Sequence, residues 1–152
     1  MPMKNTYEIL PAAKDQYAEL INVWEKSVRA THNFLSEADI EHYRPLILDQ
    51  YFDQLALFFI KDHDTILGFI GLNEELIQML FIDPAMRGGG LGKALVNYAV
   101  QKHNVNSVDV NEQNEQAVGF YKNLGFEIIE RFEYDSAGKP YPILSMHLNQ
   151  TI

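Results

Sequence analysis

The chain contains no cysteine, no long apolar run and few basic residues, and each shortage excludes a class of protein. Without cysteine there is no disulfide, no thiolate zinc site and no cysteine nucleophile. The apolar run at 55–60 (LALFFI) is far shorter than the roughly 20 residues that a membrane-spanning helix needs. The first residues, MPMKNTYE, contain no apolar signal segment. We therefore expect a cytoplasmic protein that makes no contact with membranes.

The balance of charge is acidic, with 12 lysines and arginines against 21 aspartates and glutamates and a formal net charge of −9. Nucleic-acid binding needs a basic surface, so we expect no nucleic-acid partner. An acidic surface suits a cationic acceptor, although it also serves solubility alone. The 152 residues, 47% of them hydrophobic, are enough to build one core, so we expect a single domain over residues 1–152.

Two helices are predicted in the first third of the chain. Apolar residues at helical spacing, from Tyr17 to Val28, predict the first helix over about 15–30. A Ser-x-x-Asp cap pattern at Ser36 and Asp39 opens the second, over 36–52. Pro45 lies inside this second stretch and should kink or split it, because proline has no backbone N–H to donate.

The remaining elements alternate between strands and helices. Strand patterns occupy residues 6–12, 55–62, 65–72, 75–83, 106–111, 126–134 and 141–148. Helices follow the glycine-rich stretch, from Leu91 onward, and cover 114–126 with Gly125 as the stop. The order β–α–α–β–β–β–α–β–α–β–β predicts a mixed α/β fold whose first half is largely antiparallel.

The stretch RGGGLG at 87–92 leaves the backbone almost bare where a helix should begin. The first N–H groups of a helix lack intrahelical partners, and small residues let a phosphate approach them. The Rossmann pattern fails because Lys93 stands where its third glycine belongs. The P-loop pattern fails because Arg87 and Ala94 replace its first glycine and its Ser/Thr. A phosphate site of another kind is favoured, and a flexible turn is the alternative.

Two spaced motifs carry a resemblance to a known family. Arg87, Gly90 and Gly92 match Arg/Gln-x-x-Gly-x-Gly/Ala, and the segment NEQAVGFYKNLGF matches Asn-x-x-Ala-x-x-Phe-Tyr-x-x-x-Gly-Phe. The chain thereby resembles the GNAT acetyltransferases, and the segments SVRATHNFL, VNEQNEQAVGFYKNLGF and GKPYPIL resemble the YjaB-like bacterial branch of that family. The resemblance implies the GNAT fold, with a mostly antiparallel seven-stranded sheet and about four helices. Gly89 departs from the pattern, because many members carry a larger residue there.

The resemblance also implies a cofactor and its binding residues. Acetyl-CoA is the expected co-substrate, without a metal, and an amine is the expected acceptor. The main chain of Leu80, Phe81 and Ile82 would bind the pantetheine arm, and an N–H near Phe81 or Ile82 would polarise the thioester carbonyl. The pyrophosphate and the rest of the cofactor would be bound by Arg87, Gly88, Gly89, Gly90, Leu91, Gly92, Lys93, Asn114 and Ala117. Asn114 would also cap its helix.

Tyr121 is the candidate general acid, because a positioned phenol can hydrogen-bond or protonate the departing CoA thiolate. The base is open: Glu74 or Glu75 begins the fourth predicted strand, and His32 lies between the first two helices, beside the expected acceptor site. Tyr141 could line the acceptor side or be a strand aromatic. His103 and His147 are predicted at an edge or the surface, and no spacing of histidines and carboxylates resembles a metal site.

The sequence leaves the function partly open. An N-acetyltransferase acting on a primary amine is one hypothesis, and the acceptor could be a small amine, an amino acid, an antibiotic or a protein lysine. A non-catalytic acyl-CoA sensor using the same loop is the second hypothesis. A partner-binding subunit without cofactor affinity is the third. Either a monomer or a homodimer is compatible with the pattern.

Overall fold

The computed structural model describes residues 6–32 and 34–148, in which seven strands and the helices alternate in the predicted order. The strands are β1 Tyr7–Pro11, β2 Ala56–Asp62, β3 Thr65–Asn73, β4 Leu76–Ile82, β5 Ser107–Asn111, β6 Phe126–Phe132 and β7 Ile143–Leu148. The α-helices are α1 Tyr17–Thr31, α2 Glu37–Leu46, α3 Phe52–Gln54, α4 Leu91–His103 and α5 Glu115–Asn123. Single 3₁₀ turns occupy Lys14–Gln16 and Pro84–Met86.

The strands form one sheet in the order β1-β2-β3-β4-β5-β7-β6. Every neighbouring pair is antiparallel except β4 with β5, which is parallel. A parallel pair needs a crossover connection, and α4 supplies it. The predicted α/β class and the mostly antiparallel seven-stranded sheet are confirmed.

Helices cover both faces of the first half of the sheet and one face of the second half. Residues of α1, α2 and α3 form one core cluster with β2, β3 and Met79 of β4. Residues of α4 and α5 form the other cluster, which extends under β5, β6 and β7. Strands buried on both faces read as continuous apolar runs, and β2 and β3 have that pattern.

The second helical stretch starts as predicted and then changes its winding. Ser36 Oγ accepts the Asp39 N–H and the Asp39 carboxylate accepts the Ser36 N–H, each at 3.1 Å, which is the reciprocal cap. Directly after Pro45, α2 passes into a π-helical turn at Ile47–Tyr51 and then into α3. The backbone remains helical throughout, so Pro45 changes the hydrogen-bond pattern without ending the helical stretch. When α2, the π-helical turn and α3 are counted as one segment, four helical segments flank the sheet within the described residues.

The pairing of β4 with β5 ends early, and this opens the sheet. Only Leu76 with Ser107 and Ile77 with Val108 are paired, so the rest of β4 runs on without β5 beside it. On its other side, β4 shifts register against β3 between Met79 and Ile77, which leaves Gln78 as the extra residue of a β-bulge. The bulge and the lost pairing occur at the same point of β4.

Candidate active site

A cleft of about 330 Å³ opens between the C-terminal end of α1, the end of β4 and the starts of α4 and α5. It is lined by Ser27, Thr31, His32, Leu80, Phe81, Ile82, Met86, Arg87, Gly88, Gly90, Leu91, Gly92, Lys93, Asn114, Gln116, Ala117, Phe120 and Tyr121. Except for Glu74, Glu75, Gly89 and Tyr141, every candidate site residue is among them. Residues that are almost 90 positions apart in the sequence are therefore brought to one place.

One wall of the cleft is the free edge of β4. Residues 80–82 pair with β3 on one side through Ile70, Phe69 and Gly68. On the other side, no described strand pairs with them, because β5 has already separated from β4. Buried backbone groups need hydrogen-bond partners, so this edge is suited to an extended ligand that pairs with the main chain.

The start of α4 forms a second wall and has no side chain to cap it. Its N-cap is Gly90, with φ 82° in the left-handed region, and Gly88 before it has φ 80°. The first bond of the helix runs from the Ala94 N–H to the Gly90 carbonyl at 3.0 Å. The N–H groups at 91–93 come before that bond and receive no cap from the protein. They are available to an anion, which the helix dipole also favours.

Two cations accompany this helix start. Arg87 and Lys93 both line the cleft, and neither forms an ion pair with any described residue. By contrast, Arg29, Arg44 and Arg131 are each bound to a glutamate at 2.7 Å. These two positive charges are thus available to a ligand, although the protein as a whole has a net charge of −9.

Gly92 allows α4 and α5 to approach each other at the cleft. A Cβ built on Gly92 would lie 3.3 Å from Cζ of Phe120 and 3.9 Å from Cγ1 of Ile82. Any larger side chain would have to displace the Phe120 ring, which itself lines the cleft. Gly92 is therefore required by close packing, whereas Gly90 is required by its positive φ.

Tyr121 lies on α5 with only 4% of its surface exposed. Its ring packs edge-on against Phe120 and Phe126, with centroids 5.1 and 5.5 Å apart. Burial raises the pKa of the Tyr121 phenol, so it stays protonated at physiological pH. Within the part of the chain that the structure describes, no group hydrogen-bonds the Tyr121 hydroxyl, although the residue lines the cleft. A buried phenol ordinarily has a partner, so this hydroxyl is available to a ligand.

His32 is held between Thr31 and Asn114. The Thr31 hydroxyl donates its one proton to the Ser27 carbonyl at 2.7 Å, so it can only accept from His32 Nδ1, which lies 2.8 Å away. The imidazole hydrogen is therefore on Nδ1, and Nε2 accepts from the Asn114 side-chain nitrogen at 3.3 Å. Burial lowers the pKa of His32 to about 4, so the ring is neutral at physiological pH.

Asn114 has two roles at the start of α5. Its Oδ1 accepts the Ala117 N–H at 3.2 Å, which is the predicted helix cap, and its Nδ2 contacts His32. The first bond determines which way the amide points, and so directs the nitrogen toward the imidazole. The side chain thus links α5 to the end of α1 across the floor of the cleft.

Glu75, a predicted candidate for the base, lies outside the cleft. Glu74 and Glu75 form the turn before β4 instead of its first residues, and Glu74 has φ 55°. The Glu75 carboxylate accepts from Asn106 Nδ2 at 3.0 Å, at the end where β4 and β5 are still paired. Leu80 is five residues further on, about 16 Å along the strand. The structure therefore corrects this prediction, because Glu75 is too far from the cleft to act there.

Four further residues lie away from the cleft. Gln78 is the bulged residue of β4 and faces a different cavity. Tyr141 is half-buried and donates its hydroxyl proton to Asp39. His147 is exposed, as predicted. His103, predicted at an edge or the surface, is the last residue of α4 and lies half-buried, with its ring against Phe58 at a centroid distance of 4.5 Å.

Sequence reasoning missed the contribution of α1 to the cleft. Ser27 and Thr31 lie one helical turn apart on its last turns and line the cleft together with His32. A signal was present, because Ser27 is a polar residue inside the apolar stripe of α1 and is 8% exposed. Phe120, which is partly buried against the core, also lines the cleft.

The described residues contain neither a membrane-spanning helix nor a metal-binding group. No helix in the ranges 6–32 and 34–148 is long and apolar enough to cross a membrane. In the same ranges, no three histidine, aspartate or glutamate side chains are grouped so that they could hold a metal ion.

The sequence and the fold match known proteins. The acetyltransferase (GNAT) domain family matches residues 13–140. The peptidyl-lysine N-acetyltransferase YjaB of Salmonella typhimurium is 44% identical over 128 residues, which is 84% of this chain and 88% of the relative. The solution structure of apo YjaB from Escherichia coli superimposes with a TM-score of 0.85 at 37% identity and covers 95% of this chain and 99% of the other.

A more distant match shares the fold alone. The PaiA N-acetyltransferase of Thermoplasma acidophilum, solved in complex with coenzyme A, has a TM-score of 0.72 at 20% identity. The superposition covers 91% of this chain and 97% of that structure.

Proposed function

The chain belongs to the GNAT acetyltransferase family and is an N-acetyltransferase, and from that premise we propose that it transfers the acetyl group of acetyl-CoA to lysine side chains of proteins. The observation that carries the proposal is the cleft, where an uncapped helix start, a free strand edge and a buried tyrosine meet. The choice of acceptor is supported by the Salmonella relative, which is named a peptidyl-lysine N-acetyltransferase.

The start of α4 binds the pyrophosphate of the cofactor. The binding segment consists of Arg87, Gly88, Gly89, Gly90, Leu91, Gly92 and Lys93. Its main-chain N–H groups donate to the phosphate oxygens, and the two unpaired cations add local charge. Because the whole protein is acidic, long-range attraction is weak, and salt should reduce affinity only moderately.

The free edge of β4 binds the pantetheine arm and the thioester. The main chain at 80–82 pairs with the amides of the arm in place of the missing β5 neighbour. An N–H near Phe81 or Ile82 donates to the thioester carbonyl as negative charge develops on its oxygen. A preorganised donor of this kind lowers the barrier by roughly 3–4 kcal/mol.

Tyr121 donates its hydroxyl proton toward the departing sulfur. The raised pKa of the phenol keeps the proton on the oxygen until the thiolate forms. Because a thiol has a pKa of about 8.5, well below that of this phenol, a strong hydrogen bond to the thiolate contributes more than complete proton transfer does. The unpartnered hydroxyl in the cleft supports this role.

His32, Asn114 and Ala117 complete the cofactor side of the site. Both ring nitrogens of His32 are occupied by hydrogen bonds and its pKa lies near 4, so the residue is a weak base for an amine. Its role is to hold Asn114, and through it the start of α5, at the correct place beside the cofactor. The neutral ring adds no charge near the thioester.

We propose that the chain acts as one domain over residues 1–152. The proposed function is tested on the full chain by measuring acetyl-CoA binding and acetyl transfer. Acetyl-CoA should raise the melting temperature, because a ligand that binds only the folded state stabilises it by mass action. Transfer is then measured by mass spectrometry on three acceptors: a peptide with a free lysine, the same peptide with the lysine blocked and the N-terminus free, and a small polyamine. The first should be acetylated fastest.

The binding measurement and the transfer measurement can each contradict the proposal separately. Binding of acetyl-CoA without transfer to any amine would indicate a sensor instead of an enzyme. Faster transfer to the polyamine or to the N-terminus would retain the acetyltransferase and overturn the lysine acceptor.

A further inference from the structure

A second cavity, also of about 330 Å³, lies on the face of the sheet that α4 and α5 do not cover. Val108 and Val110 of β5 point into the core below α4 and α5. Side chains alternate along a strand, so Asp109 between them points to the opposite face, where it lines the cavity. Phe132 and Tyr134, which are 46% and 59% exposed, form an aromatic side of the same cavity.

This cavity begins where β4 and β5 separate. Gln78 and Asp109 each directly follow the last residue pair of the two strands, Ile77 with Val108. Leu80, which lines the cleft, is two residues beyond Gln78, about 7 Å along β4. The cavity and the cleft therefore lie at the same separation of β4 from β5, with the cavity at its start and the cleft further along β4.

Two carboxylates line the cavity and differ in their partners. Asp135 accepts N–H groups from Ala137 and Lys139 at 3.0 and 2.9 Å and a proton from the Tyr43 hydroxyl, so its oxygens are used in holding the turn against α2. Asp109 has a hydrogen bond from the Ser145 side chain and no ion pair with any described residue. Asp109 therefore has more acceptor capacity left for a ligand than Asp135 has.

We propose that the acceptor lysine enters through this second cavity and that the Asp109 carboxylate is the general base that removes a proton from its ammonium group. The inference rests on the proposed function. The carboxylate takes the proton and leaves a neutral amine, whose nitrogen forms a bond to the thioester carbon. The C–S bond then breaks, and the departing thiolate accepts a hydrogen bond from Tyr121. The nitrogen loses its second proton to water, the thiolate takes up one proton from water, and Asp109 returns its proton to water. The products are the amide, CoA thiol and one proton.

The chemistry of the cavity suits this cation. A lysine ammonium has a pKa of about 10.4, so at neutral pH it must lose a proton before it can attack. Partial burial raises the pKa of Asp109, which makes it a stronger base than an exposed aspartate. The aromatic faces of Phe132 and Tyr134 attract a cation beside the carboxylate.

The test compares Asp109→Asn with the wild-type enzyme on two acceptors. On a lysine peptide, turnover should fall by about a hundredfold or more, the usual range for a lost acid–base group, while the rise in melting temperature with acetyl-CoA is retained. On the same peptide with an aminooxy group in place of the ammonium, which is already neutral at pH 7, the loss should shrink to about tenfold or less.

Controls separate the possible outcomes. Asp109→Ser is the second variant should the asparagine variant not fold, and Asp64→Asn, in the exposed turn between β2 and β3, should retain full activity. A folded variant without the Asp109 carboxylate that keeps wild-type turnover on lysine would overturn this inference and leave the proposed function standing. An equal loss on both acceptors would also overturn it. A wild-type enzyme inactive on every lysine peptide would overturn both.

Discussion

Helices α4 and α5 both begin at the cleft, and they begin in opposite ways. At α4 the N-cap is Gly90, in the left-handed region and without a side chain to offer. At α5 the N-cap is Asn114, whose Oδ1 accepts the Ala117 N–H at 3.2 Å. Each helix start presents the same unpaired N–H groups and the same dipole. The protein caps one of these groups with a side chain at α5 and caps none of them with a side chain at α4.

The residues beside the two helix starts also differ, with cations at α4 and a neutral ring at α5. Beside α4 lie Arg87 and Lys93, two cations that form no ion pair within the part of the chain that the structure describes. Beside α5 lies a neutral imidazole, His32, held by hydrogen bonds on both nitrogens. An uncapped helix start with cations beside it is thus suited to bind an anion, whereas a capped helix start is suited to hold the helix in place.

The largest effect is expected from giving α4 a side chain at its start. Gly90→Val forces a β-branched residue into a positive φ, and Gly92→Val collides with Phe120. Losing two charge-assisted hydrogen bonds of 1.5–3 kcal/mol each should weaken acetyl-CoA binding by about 10³-fold. Calorimetry or the thermal shift measures this loss.

The control for these glycines lies in α5. A Cβ on Gly119 would meet nothing within 4 Å, so Gly119→Ala should bind normally and be slightly more stable. Normal acetyl-CoA binding by folded Gly90→Val and Gly92→Val would show that α4 is not the phosphate site.

Removing the Tyr121 hydroxyl should affect turnover and spare binding. Tyr121→Phe keeps the packing against Phe120 and Phe126 and loses only the oxygen. We expect turnover to fall by about a hundredfold, near the lower end of the range for acid–base groups, with little change in acetyl-CoA affinity. Steady-state kinetics with a lysine peptide measures both. Unchanged turnover would exclude Tyr121 from the chemistry.

The buried state of His32 should make stability depend on pH. Its folded pKa, near 4, lies below the unfolded value of about 6.5, so the unfolded state binds more protons between these values. The contribution of His32 to stability is complete above pH 6.5 and is lost as the pH falls, by about 2–3 kcal/mol at pH 4.5. Urea unfolding of the wild type and of His32→Asn at pH 7 and pH 4.5 measures the difference.

On acidification the wild type should lose more stability than His32→Asn, because only the wild type has the imidazole at position 32. The other titrating groups are present in both proteins and contribute equally to both losses. His147→Asn, at an exposed histidine, should behave like the wild type. Equal losses in the wild type and in His32→Asn would mean that the imidazole titrates normally.

The smallest effect is expected from removing the cap of α5. Asn114→Ala deletes the bond to the Ala117 N–H and the contact to His32, and a lost cap costs about 1 kcal/mol of unfolding free energy. Asn114→Asp keeps a capping oxygen and should recover most of that stability. If the unfolding free energy of Asn114→Ala equals that of the wild type, the capping role of Asn114 is contradicted.

Much of the fold followed from local patterns. Each predicted strand is present within about two residues of its expected bounds, as for 6–12 against Tyr7–Pro11. The reciprocal cap of Ser36 and Asp39 was readable because its partners are three residues apart. The glycine stretch and the Asn-x-x-Ala helix also led to the residues that line the cleft.

The candidate base was the part that local patterns misplaced. Glu75 was expected in β4 and lies in the turn before it, because strand ends depend on the pairing partner and not on composition. The bulge at Gln78 shifts the register of β4 against β3, and no residue in the sequence marks it. Asp109 was interpreted only as part of a short strand, since nothing in that segment shows that the neighbouring strand departs there.

The position of each helix and strand, to within about two residues, and the contrast between a bare and a capped helix start follow from the local sequence, because these depend on neighbours within a few positions. Only the tertiary structure decided that His32 meets Asn114, 82 residues away, and that β4 separates from β5 after two residue pairs. It also placed Asp109 at that separation, facing a cavity. These features depend on strand register and on contacts between distant segments, which arise only when the whole sheet and both helical layers assemble.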